Sequence, residues 1–171
     1  MRVRYLVYTS PIGMVYVAST EKGLCSSSLG GTEADFRSAL RNASGFDAAR
    51  DDEFFSELKG ELDAYFSGKR ISFTSPIDWL QGTAFQQSVW EALRKIPYGE
   101  TRSYKDVAQA VERARAYRAV GQAVGSNPVP LIVPCHRVVR SDGSLGGFGS
   151  GLPLKRRLLE IERAKIVLGP R

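Results

Sequence analysis

The chain has 171 residues, which allows one large or two small domains with a substantial hydrophobic core. Its 43% hydrophobic and 25% charged residues are ordinary for a globular protein, and no apolar run approaches the roughly 20 residues that cross a bilayer. The net charge of +6 is unevenly spread, because residues 1–84 carry nine Lys/Arg and eleven Asp/Glu whereas residues 85–171 carry fifteen and seven. The basic second half indicates a polyanionic partner, although a basic solvated surface without a partner has the same composition.

The first half of the chain predicts a small α/β domain with an antiparallel sheet. Three β-rich runs separated by turn residues form a predicted meander, and two helical runs follow them. The strands are "RVRYLVYT", "MVYVAST" and "LCSSSLG", and the helices are "TEADFRSAL" and "DEFFSELKGELDAYFSG". The second helix has a predicted buried stripe made of Phe54, Phe55, Leu58, Leu62 and Tyr65.

A domain junction is predicted in "KRISFTSPIDWLQGT", where a proline and a glycine break the helical period. Residues 1–78 are therefore the expected first domain, and residues 79–171 the second. Thr83 is a predicted N-cap for the helix "AFQQSVWEALRKI", which stops before Pro97.

The second domain is predicted to be mostly helical. Two short helices, "SYKDVAQAV" and "AYRAVGQAV", are joined by the four residues "ERAR". A tight join between two short helices is typical of a helix-turn-helix, although any helical pair gives the same pattern. An extended "LIV" and a last helix, "LPLKRRLLEIER", complete the domain.

The stretch "VPCHRVV" places Cys135 beside His136, the only histidine of the chain. A thiol becomes a nucleophile when a nearby base or cation favours its thiolate, and Pro134 favours a turn in which neighbouring side chains converge. An isolated Cys-His pair is more often structural than functional. One histidine and two separated cysteines lack the spacing of a zinc site, so no metal is expected. Both thiols are expected to be free in a reducing, cytoplasmic compartment, and Cys25 is expected to be structural.

Five blocks of the chain resemble, in their order and spacing, the O6-alkylguanine-DNA alkyltransferases, also called methylated-DNA–protein-cysteine methyltransferases. The similarity is nearly continuous from about residue 58 to residue 162. The blocks are "DAYFSGKRISF", "FQQSVWEALRKIPYGETRSY", "YRAVGQAVGSNP", "NPVPLIVPCHRVV" and "GGFGSGLPLKRRLLEIE". The N-terminal portion fits the variable α/β domain of that family only loosely.

This resemblance implies a catalytic role for five residues. Cys135 would take the alkyl group from O6 of guanine, and His136 would act through a bridging water as its base. Glu162 would hold the imidazole, Asn127 would brace the turn before the cysteine, and Tyr104 would share a proton with the departing guanine.

The resemblance also implies how DNA would be held. Arg118 would enter the duplex and fill the space left by the flipped nucleotide, with its helix in the minor groove. The other expected DNA contacts are Tyr117, Ala119, Gly121, Ser103 and Lys105, and the expected walls of the substrate pocket are Val138, Phe148, Gly149 and Ser150. Phe148 stands where many relatives have tyrosine, and Ser150 where others have glycine or a bulky aromatic residue.

The fold implied by the resemblance is a small ribonuclease-H-like α/β domain followed by a mostly helical domain with a helix-turn-helix. The implied activity is a single-turnover transfer to Cys135 by a monomer acting on double-stranded DNA that contains O6-alkylguanine, without a cofactor. Two other functions stay open. A Cys-His hydrolase would leave the basic half without a role, and a non-catalytic sensor of alkylated DNA would not need the thiol.

Overall fold

The computed structural model describes residues 1–165, which separate into two units. Unit 1 contains Met1–Gln81 and the short segment Pro128–Pro130. Unit 2 starts at Gly82, runs to Asn127 and resumes at Leu131. The boundary placed after residue 78 stays a prediction, and residues 166–171 of the expected second domain lie outside the described range.

Unit 1 is built on a four-stranded sheet. Its strands are β1 (Val3–Ser10), β2 (Gly13–Ser19), β3 (Leu24–Leu29) and β4 (Ala48–Arg50), in the order β3-β2-β1-β4. The first three strands are antiparallel neighbours, as the β-rich runs and the turn residues between them predict. The fourth strand pairs parallel to β1 and was not predicted, because three residues are too few to show a period.

Two helices complete unit 1. Helix α1 (Glu33–Ser44) begins after Thr32, whose side chain accepts a hydrogen bond from the Asp35 amide, so that a polar cap starts the helix where the sequence places it. Helix α2 (Ser56–Phe66) begins later than expected. Phe54 therefore precedes the helix and is 47% exposed, so its predicted place on the buried stripe is wrong. The other four residues of that stripe are buried.

The core of unit 1 lies between the sheet and α1. The ring of Phe36 stacks on that of Tyr16 with centroids 5.4 Å apart and meets Tyr5 edge-on at 6.1 Å. Offset-stacked and edge-to-face pairs of this kind add to the stabilisation from burial alone.

The described part of unit 2 contains four α-helices: α3 (Ala84–Arg94), α4 (Tyr104–Ala110), α5 (Tyr117–Gly125) and α6 (Leu152–Ile161). Thr83 and Gln86 form a capping box at the start of α3, which confirms the predicted N-cap. The indole of Trp90 on α3 is buried and donates a 2.7 Å hydrogen bond to the carbonyl of Ala123 on α5. Helices α4 and α5 form the predicted helix pair, but their connection spans residues 111–116 and is longer than the four expected residues.

A short parallel pairing links the helix pair to the Cys-His segment. Strand β5 (Arg102–Ser103) pairs with β6 (Val138–Val139), with Arg102 opposite Val138. This pairing places the start of α4 beside the residues that follow His136.

The predicted extended run at residues 131–133 is wrong for its first two residues, which form a turn. Leu131 has φ of 75°, and both Leu131 and Ile132 are buried. The error has a physical cause, because a short apolar run marks burial and does not by itself distinguish a strand from a buried turn.

None of the helices within residues 1–165 combines the length and the apolar character needed to span a bilayer.

Candidate active site

Cys135 and His136 lie on a single 3-10 turn, Cys135–Arg137, that follows Pro134. The Cys135 amide donates to the carbonyl of Val133 at 2.8 Å, and the Arg137 amide donates to that of Pro134 at 3.0 Å. Cys135 is 5% exposed and His136 is fully buried. The turn therefore presents a thiol and an imidazole inside the protein, where water does not screen them.

A buried carboxylate, Glu162, lies directly after α6 and binds two side chains of this turn. Its Oε1 is 2.6 Å from Nε2 of His136. The Arg137 guanidinium donates to both carboxylate oxygens, with Nε 2.9 Å from Oε2 and Nη2 2.9 Å from Oε1. Arg137 also donates through Nη1 to the carbonyl of Ile96 at 2.7 Å. The cluster thus contains one carboxylate, one guanidinium and one imidazole, and it satisfies the carboxylate on both oxygens.

The turn before α4 closes tightly against the same carboxylate. The Gly99 amide donates to Oε2 of Glu162 at 3.2 Å. Gly99 has φ of 80°, and a Cβ at this position would lie 3.0 Å from the Glu162 carbonyl oxygen. Only glycine fits this approach without strain.

The charge state of the cluster follows from burial and pairing. Burial alone would raise the pKa of Glu162, but the hydrogen bonds from His136 and Arg137 outweigh it and lower this pKa to about 2. Burial lowers the pKa of His136 below its ordinary value of 6.5, and the nearby carboxylate only partly opposes this shift. Arg137 supplies the charge that compensates Glu162, so the imidazole stays neutral at pH 7.

The ionised carboxylate also fixes the tautomer of His136. A carboxylate can only accept hydrogen bonds, so the proton of the neutral ring must lie on Nε2. The other ring nitrogen, Nδ1, is then an acceptor, and it is buried without a hydrogen-bond partner among the described residues. An imidazole in this state can take a proton at Nδ1.

Asn127 connects the end of α5 to the thiol. Its Nδ2 donates to the carbonyl of Val133 at 2.9 Å, and its side chain hydrogen-bonds the Cys135 sulfur. Burial raises the pKa of Cys135, and this hydrogen bond partly opposes the shift. The thiol is therefore protonated at rest, and its reaction requires a base. Cys25 is also buried, and burial raises its pKa to about 12.

Tyr104, the first residue of α4, is half-buried beside the thiol. Burial raises the pKa of Tyr104, and the charge of a Cys135 thiolate acts in the same direction. The charge of Arg140 and a hydrogen bond with the backbone of Gly147 only partly oppose this shift. A tyrosine held protonated in this way is a proton donor at neutral pH.

The expected DNA-contacting residues share one region of unit 2, the helix pair. Ser103 caps α4 through its Oγ, which accepts from the Asp106 amide at 3.0 Å. Four of the other expected DNA-contacting residues are exposed. The fifth, Gly121, is half-buried and faces the ring of Tyr104. The exposed residues are Lys105, Tyr117, Arg118 and Ala119. Ala123, on the same helix as Arg118, is buried and accepts the hydrogen bond of Trp90.

The expected pocket residues are placed less uniformly. Val138 is fully buried directly after the turn, and Phe148 is half-buried. Gly149 and Ser150 are exposed in the segment before α6. The structure therefore brings together the five expected catalytic residues and Val138, while Gly149 and Ser150 are at the surface.

Sequence reasoning missed two buried cations, Arg137 and Lys155. Both were counted with the basic charge of the second half, yet they are 6% and 0% exposed. The period of α6 contained a signal for Lys155, because it precedes Leu158 by three residues and Glu162 by seven and so falls on the same buried face. Within residues 1–165 there is no group of three His, Cys, Asp or Glu side chains that could hold a metal ion.

Comparison with known proteins identifies both halves of the chain. Residues 84–164 match the family model "6-O-methylguanine DNA methyltransferase, DNA binding domain". Residues 3–79 match the "6-O-methylguanine DNA methyltransferase, ribonuclease-like domain".

Two relatives named methylated-DNA--protein-cysteine methyltransferase are similar over most of their length. The protein from Methanosarcina barkeri is 46% identical over 159 residues, which cover 92% of this chain and 96% of that protein. The inducible protein from Bacillus subtilis is 43% identical, with 86% and 83% covered. Among solved structures, Mycobacterium tuberculosis OGT in complex with DNA has a TM-score of 0.80 at 40% identity, with 94% of this chain and 92% of that chain covered.

The fold and site define a class of protein in which a helix-turn-helix domain carries a buried Cys-His-Glu cluster. Both domain models and the relatives agree on the particular family. The chain belongs to the 6-O-methylguanine DNA methyltransferase family.

The neutral, buried His136 predicts a pH dependence of folding stability. Its pKa is lower in the folded than in the unfolded chain, so below pH 6.5 the unfolded chain binds a proton that the folded chain does not, and stability falls as the pH falls. We expect the free energy of unfolding to decrease from pH 7 to pH 5, with a slope of at most about 1.4 kcal/mol per pH unit. Glu162 contributes mainly below pH 5, because its pKa is about 2 in the folded chain and close to its ordinary value of 4.5 in the unfolded chain.

Urea denaturation at several pH values between 5 and 7 measures this slope. His136→Gln keeps an N–H donor for Glu162 but does not titrate, so its slope should be close to zero. Equal slopes in the two proteins would contradict the neutral imidazole.

Proposed function

We propose that this chain repairs O6-alkylguanine in DNA by direct reversal, moving the alkyl group from guanine O6 to the sulfur of Cys135. The observation that carries the proposal is the protonated, buried thiol on the same turn as a neutral imidazole whose Nε2 is held by Glu162 at 2.6 Å. A protonated thiol needs a base, and the imidazole has one nitrogen free to act as that base.

The transfer begins with removal of the thiol proton. A water bridging the sulfur and Nδ1 of His136 passes this proton to the imidazole, which becomes an imidazolium. Glu162 stabilises the new charge as the third member of a triad does. The thiolate then attacks the alkyl carbon, so the S–C bond forms while the C–O6 bond breaks.

Tyr104 assists the departure of guanine. The electron pair of the broken bond stays on the base, and a proton shared from the Tyr104 hydroxyl offsets the charge that develops there. The raised pKa of Tyr104 keeps this proton on the residue until the base needs it. Guanine then leaves as a neutral molecule, and a neutral leaving group departs more readily than an anion.

The product is a thioether on Cys135. Unlike a thioester, an alkyl thioether offers water no easy leaving group, so each molecule acts once. This distinguishes the proposed reaction from that of a Cys-His hydrolase, in which water releases the acyl group from a thioester and the thiol is regenerated.

The target base must leave the duplex to reach a buried thiol. Unstacking a nucleotide costs on the order of a few kcal/mol, and an inserted side chain offsets part of that cost. Arg118 is exposed near the start of α5, followed by the small residues Ala119 and Gly121, which allow close approach to the minor groove. The basic residues of the second half add phosphate binding that is independent of sequence and weakens with salt.

We further propose that the chain acts as a monomer in the cytoplasm, where both thiols stay reduced. Residues 1–78 would form the α/β domain, and residues 79–171 would hold DNA and carry out the transfer. Val138, Phe148, Gly149 and Ser150 would line the side of the pocket that receives the flipped base. Phenylalanine at position 148 keeps ring packing there without a hydroxyl contact.

Incubation with a duplex that carries one O6-methylguanine should add a single methyl group to the peptide that contains Cys135. Mass spectrometry of the digested protein measures this, and Cys25 is an internal control because its buried thiol should stay unmodified. The amount of repaired guanine should equal the amount of protein and not exceed it. An unmodified Cys135 alongside repaired DNA, or many turnovers per molecule, would contradict direct transfer.

Replacing Arg118 with alanine should slow repair of duplex DNA at least tenfold while the reaction with free O6-alkylated base changes little, because only the duplex requires flipping. Arg115→Ala is the matched control, since it removes an exposed arginine from the preceding turn without touching α5. Transfer rates on the two substrates measure the effect. Equal losses on both substrates in Arg118→Ala would exclude the inserted role.

A further inference from the structure

Lys155 is a buried cation to which the proposed reaction gives no role. It lies on α6 and is 0% exposed, whereas Arg157 on the same helix is exposed. An ammonium removed from water is costly unless its donors and its charge are satisfied. The surroundings of Nζ therefore indicate what the residue does.

The three N–H donors of the ammonium all bind backbone carbonyls. Nζ donates to Val138 at 2.6 Å, to Gly147 at 3.1 Å, and to Leu145. These acceptors belong to two separate segments, because Val138 follows the thiol turn directly whereas Leu145 and Gly147 precede α6. One side chain thus ties the exit of the thiol turn to a second loop.

That second loop contacts Tyr104. Gly146, between the two bound carbonyls, has φ of 69°, and a Cβ there would lie 3.1 Å from the Tyr104 hydroxyl oxygen. The loop therefore fits against the hydroxyl with no room for a side chain. Lys155 consequently fixes the backbone on both sides of the reacting groups, the thiol on one side and the phenol on the other.

Among the residues that the structure describes, Lys155 forms no hydrogen bond to a carboxylate that would balance its charge. Burial lowers the pKa of Lys155 to about 8, a thiolate at Cys135 opposes this shift, and Arg140 adds to it. Conversely, the Lys155 charge lowers the pKa of Cys135. Burial raises this pKa, and the Asn127 hydrogen bond also lowers it. The other charges of the site, Glu162 and Arg137, are paired with each other.

We propose that Lys155 is a positioning residue for alkyl transfer, which holds the thiol turn and the Tyr104 loop at a fixed separation and faces its charge towards the Cys135 thiolate as it forms. The inference rests on the proposed role of Cys135 as nucleophile. Lys155 touches neither the base nor the alkyl group. It acts through the backbone that it binds and through its electrostatic effect on the sulfur.

The test compares Lys155→Met, which keeps an unbranched side chain but removes the charge, with Arg157→Met, which removes an exposed charge from the same helix. The probe is methyl methanethiosulfonate, a small neutral thiol reagent, and its rate of reaction with Cys135 is followed by mass spectrometry at pH 7, where Lys155 still carries its charge. We expect this rate to fall at least tenfold in Lys155→Met, equivalent to a rise of about one unit in the pKa of Cys135, and to stay unchanged in Arg157→Met.

Transfer from a duplex carrying O6-methylguanine is measured on the same two variants. We expect at least a tenfold lower rate in Lys155→Met with unchanged duplex affinity. An unchanged rate of methylthiolation at pH 7 in Lys155→Met, whatever its transfer rate, overturns the inference. Because the thiol reagent needs no DNA, a failure of the proposed repair activity leaves this readout intact, and the two failures can be distinguished.

A measurement on the unaltered protein covers the case in which Lys155→Met does not fold. An ammonium that binds three carbonyls in the interior should give a slowly exchanging lysine Nζ signal in 15N nuclear magnetic resonance. Methylthiolation of Cys135 prevents the thiolate from forming, and a thiolate raises the pKa of Lys155, so we expect the titration midpoint of this signal to fall. A signal that does not respond to modification of Cys135 overturns the inference.

Discussion

The active site depends on one buried carboxylate, Glu162, which hydrogen-bonds one cationic side chain and one ionisable side chain. Glu162 accepts hydrogen bonds from His136 and Arg137, and a buried carboxylate is tolerated only when its charge is paired. Because Arg137 supplies that pairing, the imidazole does not have to. If Glu162 had only His136 as a partner, pairing would favour the imidazolium, which cannot accept the thiol proton. The guanidinium therefore keeps the base available.

The link between DNA recognition and chemistry is equally local. The pairing of β5 with β6 sets Ser103 and Tyr104, at the start of the first helix of the pair, beside the chain that follows the thiol turn. Asn127, just after the second helix, hydrogen-bonds the Cys135 sulfur. Both helices are thus connected to the thiol within one unit, as the proposed delivery of a flipped base to the thiol requires.

The sequence predicted those parts that depend on local chemistry. The first three strands follow from β-rich runs separated by turn residues, the start of α3 from Thr83, and the turn at Cys135 from Pro134. Phe54 and Leu131 were misassigned because an apolar residue marks hydrophobicity and not the point where a helix starts or a turn reverses. Glu162 came only from resemblance to a family, since nothing near it in the chain points to an imidazole 26 residues away. Arg137 was counted with the surface cations, because burial of a charge depends on partners that the fold alone brings together. Lys155 was counted with them too, although the helical period of α6 places it on the buried face.

The most direct test of this account is the protonation state of His136. As the only histidine in the chain, it gives a single set of imidazole resonances in 15N nuclear magnetic resonance. The account predicts a neutral ring at pH 7 with its proton on Nε2 and an unprotonated Nδ1, and a titration midpoint below 6.5. A ring protonated on both nitrogens at pH 7, or a neutral ring with its proton on Nδ1, would contradict it.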